Sequence, residues 1–248
     1  MRKVVLLMAA ALTAVAAADV LYDNGAGFSP PYGLVNYPGQ GFGGAHASAL
    51  ESALGENTYG YGHQQSLGYR VADDFTVPAP GWNIQTVKFF AYQTGSTTQS
   101  TITGVTLQIW SGVPGQGTVV FGDTTTNRMT ATTFSGIYES IDTNLTANNR
   151  PIMMQTVAVN FTLPPGTYWL DWATNGSLSS GPWAPPMRIR GQVSVPNANA
   201  MQYITSWAPL QDSGSLTPDD LPFVIEGTVV PEPASLLLLG LALVLRRR

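Results

Sequence analysis

The sequence predicts an all-β protein, built as a single jelly-roll-like antiparallel β-sandwich. From Gly68 onward, short runs alternate apolar and polar residues, as at Val105, Leu107 and Ile109. Successive side chains on a strand point to opposite faces, so each run has one apolar and one mixed face. Turn formers such as residues 164–166 (Pro-Pro-Gly) separate the runs. This spacing predicts roughly eight to eleven short strands and no long helix.

Residues 19–67, here called the front segment, are rich in Gly, Pro, Ser, Tyr and Asn. Such a composition predicts largely irregular structure. Within it, Ala47, Leu50 and Leu54 fall at helical spacing and a glycine follows them. Residues 45–54 are therefore expected to form a short helix.

Residues 1–18 have the three parts of a signal peptide: a basic start, an apolar stretch and small residues before a cleavage point. Ala16 and Ala18 are the small residues, and cleavage before Asp19 would begin the mature chain. A buried N-terminal helix is the alternative, but all three parts occur in order. The segment predicts a signal helix, export by the general secretion machinery and removal by signal peptidase.

The composition of residues 19–229 excludes several classes of protein. This body keeps six Lys and Arg against fourteen Asp and Glu, a net charge of −8. Scattered cations in an acidic body offer no footprint for nucleic acid or for an anionic membrane surface. About 210 residues can bury a full core as one domain. The chain has no cysteine, which excludes a small disulfide-stapled fold and a thiolate site.

Residues 230–248 form a tail with three ordered parts. A Pro-Glu-Pro tripeptide comes first, then the apolar run 234–245, then three arginines. The twelve residues of that run would rise about 18 Å as a helix, short of the ~30 Å hydrocarbon core. We expect a short hydrophobic helix that inserts transiently, with the arginines on the cytoplasmic side. The residues of this predicted sorting signal are Pro231, Glu232, Pro233, Arg246, Arg247 and Arg248.

This tail resembles the PEP-CTERM sorting domain of Gram-negative bacteria. The resemblance implies recognition by an exosortase-type processing enzyme in the inner membrane. It also implies release or transfer to the cell surface, usually in bacteria that make exopolysaccharide and biofilm. A permanent anchor or a buried C-terminal helix is the alternative, but an anchor is normally longer. A buried helix would not end in three arginines.

The body is also similar to uncharacterised ectodomains that precede such tails. The similarity lies in residues 70–75 (Arg-Val-Ala-Asp-Asp-Phe) and 166–170 (Gly-Thr-Tyr-Trp-Leu). It supports a β-sandwich and implies no established activity. We therefore expect an exported surface or matrix protein that associates with exopolysaccharide and is not an enzyme.

No motif for catalysis or metal binding occurs in the sequence. His46 and His63 lack the spacing of zinc ligands, and both are expected to be solvated. A secreted polysaccharide hydrolase is still an alternative, because it needs only two carboxylates across a cleft. Glu139, Asp171 and Glu226 are the candidates. Asp171 and Glu226 alternate with apolar strand residues, which predicts that both face solvent.

Asp73 and Asp74 are the candidate ligands for calcium, which prefers carboxylate and carbonyl oxygens. Adjacent side chains on a strand point to opposite faces, so the two would not share an ion without a bulge. The sequence also lacks a loop like that of an EF-hand. These points favour a structural role for the pair, and no cofactor is expected.

Aromatic residues raise carbohydrate binding as a further alternative, because the C–H face of a sugar can stack on an aromatic ring. Trp169 is the leading candidate, since it points away from Tyr168 and Trp172 on its predicted strand. Core packing is the competing role for such residues. The other candidate tryptophans are Trp82, Trp110, Trp183 and Trp207.

Overall fold

The computed structural model describes residues 18–232, and this part of the chain is all-β. The expected signal helix (residues 1–18, except Ala18) and the expected C-terminal hydrophobic helix (residues 234–245) lie outside the described residues. No helix in the described part is long and apolar enough to span a membrane. Its fourteen strands are β1 (Asp19–Asp23), β2 (His46–Leu50), β3 (Tyr61–Gly62), β4 (Arg70–Val77), β5 (Trp82–Ala91), β6 (Ile102–Ser111), β7 (Thr118–Asp123), β8 (Met129–Ile141), β9 (Pro151–Leu163), β10 (Gly166–Gly176), β11 (Trp183–Ala184), β12 (Met201–Tyr203), β13 (Trp207–Pro209) and β14 (Phe223–Val229).

Two six-stranded sheets make up most of the fold. The first sheet has the order β1-β14-β5-β9-β8-β2, and the second has the order β13-β12-β4-β10-β6-β7. Eight strands follow jelly-roll order, with β1, β14, β5 and β9 in one sheet and β4, β10, β6 and β7 in the other. Paired strands are antiparallel except β2, which lies parallel to β8. The all-β sandwich predicted from the sequence is confirmed.

The main core lies between the two sheets and is built from the alternating apolar residues. Leu170 and Trp172 of β10 point inward from the second sheet, and Phe89 of β5 points inward from the first. The rings of Phe89 and Trp172 stack with centroids 4.6 Å apart. Burial of each such side chain contributes roughly 1.5–3 kcal/mol. The apolar residues whose alternation predicts the strands therefore also pack the two sheets together.

The front segment covers part of the outer face of the first sheet. Its Leu34 and Val35 form a second apolar cluster with Phe90, Ile152 and Val224, which point outward from β5, β9 and β14. An antiparallel sheet often has one solvated face; here part of the outer face of the first sheet is covered, while Asn160 and Thr162 of β9 are exposed. Although it is rich in glycine, the front segment thus packs against the sheet and contains short strands of its own.

The prediction of a short helix over residues 45–54 is wrong. His46–Leu50 is β2, and Ser52–Leu54 is one 3₁₀ turn. Pairing with β8 and burial of four residues of β2 outweigh the helical spacing.

The described part also has more strands than the roughly eight to eleven expected, because four of its fourteen strands have only two or three residues. The other 3₁₀ helices are Phe42–Gly44 and Gln65–Leu67.

Candidate functional site

The two ends of the described chain lie side by side at one end of the sandwich. β1 and β14 are antiparallel neighbours, with Asp19 opposite Gly227. Val229 is the last residue of β14, and the N–H of Val230 donates a hydrogen bond of 2.9 Å to the carbonyl of Gly81. The chain therefore leaves the folded body after Val230, next to the point where β1 begins.

Four of the predicted processing residues fall at this end. Ala18 and Asp19 are exposed where β1 begins, and Pro231 and Glu232 are exposed directly after Val230. The remaining predicted residues (Ala16, Pro233, Arg246, Arg247 and Arg248) lie outside the described residues. The tertiary structure thus brings the expected signal-peptidase site close to the start of the Pro-Glu-Pro tripeptide.

Asp171 and Glu226 lie on opposite outer faces of the sandwich. Each alternates with core residues of its own strand, β10 in the second sheet and β14 in the first. Glu226 is half-buried, forms an ion pair with Lys88 and accepts a hydrogen bond of 2.9 Å from Oγ1 of Thr86. Because the main core separates Asp171 from Glu226, they cannot flank one substrate.

The expectation that Asp171 faces solvent is wrong. The residue is 1% exposed, because other side chains of the outer face cover it. Nη1 of Arg70 lies 3.1 Å from its Oδ2, and Nε1 of Trp110 donates a hydrogen bond of 3.0 Å to the same oxygen. Burial raises the pKa of Asp171 to about 6, although Arg70 and Trp110 oppose that rise.

Glu139 lies beneath the front segment and is fully buried. One guanidinium, that of Arg188, contacts Glu139 at 3.2 Å and Glu56 at 2.9 Å. Burial raises the pKa of Glu139 to about 8, although Arg188 opposes that rise. The strand register separates Glu139 from Glu226 by roughly 30 Å, beyond the about 5–10 Å that glycosidases use. The three candidate carboxylates therefore share no cleft.

Asp73 and Asp74 both accept hydrogen bonds from protein donors. Oδ2 of Asp73 accepts bonds of 2.9 Å from Nδ2 of Asn24 and from the N–H of Leu221. Oδ1 of Asp74 accepts one of 2.9 Å from Asn199. Burial raises the pKa of Asp73 well above its ordinary value. Within the described residues, no group of three or more His, Cys, Asp or Glu could hold a metal ion.

The expectation of a solvated side chain is wrong for His63, which is fully buried. Its Nδ1 lies 3.3 Å from the carbonyl oxygen of Tyr61, and burial lowers its pKa to about 4. Its own carbonyl accepts a hydrogen bond of 2.9 Å from the N–H of Thr174. His46 is partly exposed, and its Nδ1 accepts a bond of 3.1 Å from the N–H of Gly39. The imidazole of each histidine thus contacts a nearby backbone group.

Trp169 lies on the outer face of the second sheet, between β4 and Trp110 on β6. It is 8% exposed, which leaves little ring surface for a sugar. Trp82 belongs to the main core. In contrast, Trp110, Trp183 and Trp207 are half-buried and keep accessible ring area. Alternation placed Trp169 on the correct face but could not show that other side chains cover it.

A cleft of about 360 Å³ opens on the outer face of the second sheet, with Tyr69, Arg70 and Tyr203 in its lining. We call it the Arg70 cleft. Cζ of Arg70 lies 4.9 Å from the ring centroid of Tyr203, and its Nη1 donates a hydrogen bond of 2.8 Å to Gln108. Because the same guanidinium pairs with Asp171, the cleft presents aromatic surface without an uncompensated charge.

The fold and these sites define a jelly-roll β-sandwich whose first and last strands are neighbours and whose candidate carboxylates lie apart. Comparison of the chain with family models, curated proteins and solved structures finds no match. The sequence motifs and the geometry of the described residues are therefore what indicates a function.

Proposed function

We propose that this protein is an exported, non-catalytic surface or matrix protein that is processed at its C-terminal tail. Signal peptidase removes residues 1–18, and the tail holds the protein transiently in the inner membrane. An exosortase-type enzyme then reads the tripeptide that begins at Pro231 and transfers or releases the body. The body associates with exopolysaccharide outside the cell. The separation of Glu139, Asp171 and Glu226 argues against the alternative of a polysaccharide hydrolase.

The observation that carries this proposal is the order of the three parts of the tail. The tripeptide, the apolar run and the arginine cluster follow one another over residues 231–248. The adjacency of β1 and β14 supports it, because Ala18 and Pro231 leave the same end of the sandwich. A domain with this arrangement can stay outside the membrane while both predicted hydrophobic segments insert beside one another.

Deletion of residues 231–248 tests the proposal in the native host. We expect the truncated protein to be exported but to accumulate in a different fraction from the full-length protein. A Lys replacement of all three terminal arginines keeps the positive charge and serves as the control, which should localise as the wild type does.

Cell fractionation locates each form, and mass spectrometry of the purified protein defines its C-terminus. Wild-type protein recovered from the surface should lack Arg248. Identical localisation of the truncated and full-length forms, or surface protein that retains Arg248, would contradict the proposal.

A further inference from the structure

A second pocket, of about 340 Å³, lies where the front segment meets the loops after β10 and β13. We call it the Arg150 pocket. Its volume lies in the range of small-ligand sites. Its lining combines aromatic rings, hydroxyls, an amide and one cation, contributed by Asn57, Tyr59, Arg150, Ser180, Trp183 and Ser213.

One wall of the Arg150 pocket is held in place by buried charges. Asp212 accepts hydrogen bonds from the N–H groups of Asn57, at 3.0 Å, and Thr58, at 2.7 Å. From the other side, Nη2 of Arg188 donates a bond of 2.7 Å to the carbonyl of Thr58. Burial opposes ionisation of Asp212, but these and other backbone donors hold its pKa below the ordinary value. The wall is therefore formed before any ligand arrives.

The cation in this pocket has no acidic partner. Within residues 18–232, two of the six Lys and Arg side chains form no ion pair, Arg150 and Arg190. Each lies over a tyrosine ring, with Cζ of Arg150 4.1 Å from the ring centroid of Tyr59 and Cζ of Arg190 4.6 Å from that of Tyr37. A cation–π contact leaves the hydrogen-bond donors of a guanidinium free for a ligand.

The acids near the Arg150 pocket make their closest contacts with other groups. Asp212 is occupied by backbone N–H groups, and Glu56 and Glu139 share the guanidinium of Arg188. Arg150 is near enough to lower the pKa of Glu139 but forms no ion pair of its own. The net charge of −8 over the body acts mainly at longer range, where physiological salt screens interactions beyond about 8 Å.

We propose that the Arg150 pocket binds a sugar that carries a carboxylate, such as a uronic acid residue of a polysaccharide. The guanidinium of Arg150 would bind the carboxylate through two parallel hydrogen bonds. The ring of Trp183 supplies apolar surface for the C–H face of the sugar. Asn57 and Ser213 supply partners for its hydroxyls. This inference rests on the proposed function only for the supply of polysaccharide outside the cell.

Binding of the full-length chain, purified in a non-ionic detergent, to polygalacturonate tests the proposal. Arg150→Glu should weaken binding at least about tenfold, because a charge-assisted pair is replaced by repulsion. Arg190→Glu is the matched control, since it makes the same change in net charge at the other unpaired arginine. It should keep the affinity within about twofold. Arg150→Lys should bind with intermediate affinity, because it keeps the charge but loses the planar fork.

Thermal unfolding of each variant checks that the fold persists, and dextran serves as the neutral polymer. Four results would each overturn the proposal: no binding of polygalacturonate by the wild type, equal binding of dextran, unchanged binding by Arg150→Glu, or equal losses in both glutamate variants. These measurements use purified protein and do not depend on where the cell places it. Failure here and failure of the sorting proposal are therefore distinguishable.

Discussion

Glu139 shows how burial sets the chemistry of single residues in this protein. Its carboxyl is fully buried, and its one ion-pair partner, Arg188, also binds Glu56. Burial raises the pKa of Glu139 from 4.5 to about 8 against the opposing effect of Arg188. Between these two values the folded protein keeps a proton that the unfolded chain has lost.

This difference predicts the pH dependence of stability. The contribution of Glu139 is fully present below about pH 4.5 and falls as the pH rises toward about 8, since the folded state binds more protons there. The slope should be at most about 1.4 kcal/mol per pH unit, the value for one proton. Glu139→Gln cannot titrate and should lack this component. Urea unfolding of both proteins from pH 5 to pH 8 measures it, and parallel curves would refute the assignment.

At the scale of elements, β7 depends on a glycine at its junction with β6. Gly122 has φ of 80°, and a Cβ there would lie 2.2 Å from the carbonyl oxygen of Leu107 on β6. Gly136 on β8 has a similar φ of 83°, but a Cβ there would meet nothing within 4 Å. The two positions share the backbone conformation and differ in the space around it.

Replacing each glycine with alanine therefore distinguishes the cost of backbone strain from the cost of steric crowding. Gly136→Ala should cost about 1 kcal/mol, the penalty for a left-handed conformation. Gly122→Ala should cost at least about 2 kcal/mol more, because the β6–β7 ladder must shift to admit the methyl group. Chemical unfolding gives both values. Equal losses of stability would show that the close approach to Leu107 does not constrain the pair of strands.

At the scale of the whole molecule, the last strand completes the fold. β14 lies between β1 and β5, so the first strand can pair only after the C-terminal strand is in place. The N–H of Val230 is still bonded to Gly81, and Pro231 follows directly. At about 3.3 Å per extended residue, a chain of three residues reaches at most about 10 Å beyond Val230.

A longer spacer should therefore make the tripeptide easier to process. Ten Gly and Ser residues inserted after Val230 behave as a flexible coil of roughly 15–20 Å. We expect a faster loss of the tail, followed by pulse-chase labelling in the native host, with unchanged stability of the body. A slower or unchanged rate would mean that the folded end of the sandwich does not restrict the processing enzyme.

Local patterns in the sequence determined the longer strands after Gly68 and the turns between them, because alternation and turn chemistry act over a few residues. They predicted an all-β sandwich and the face on which Asp171 and Trp169 lie. Tertiary structure alone decided that both are covered, that His63 is buried and that residues 46–50 pair with β8. It also brought Arg150 and Trp183 together. The physical reason is that burial and pairing depend on residues distant in sequence, which periodicity does not report.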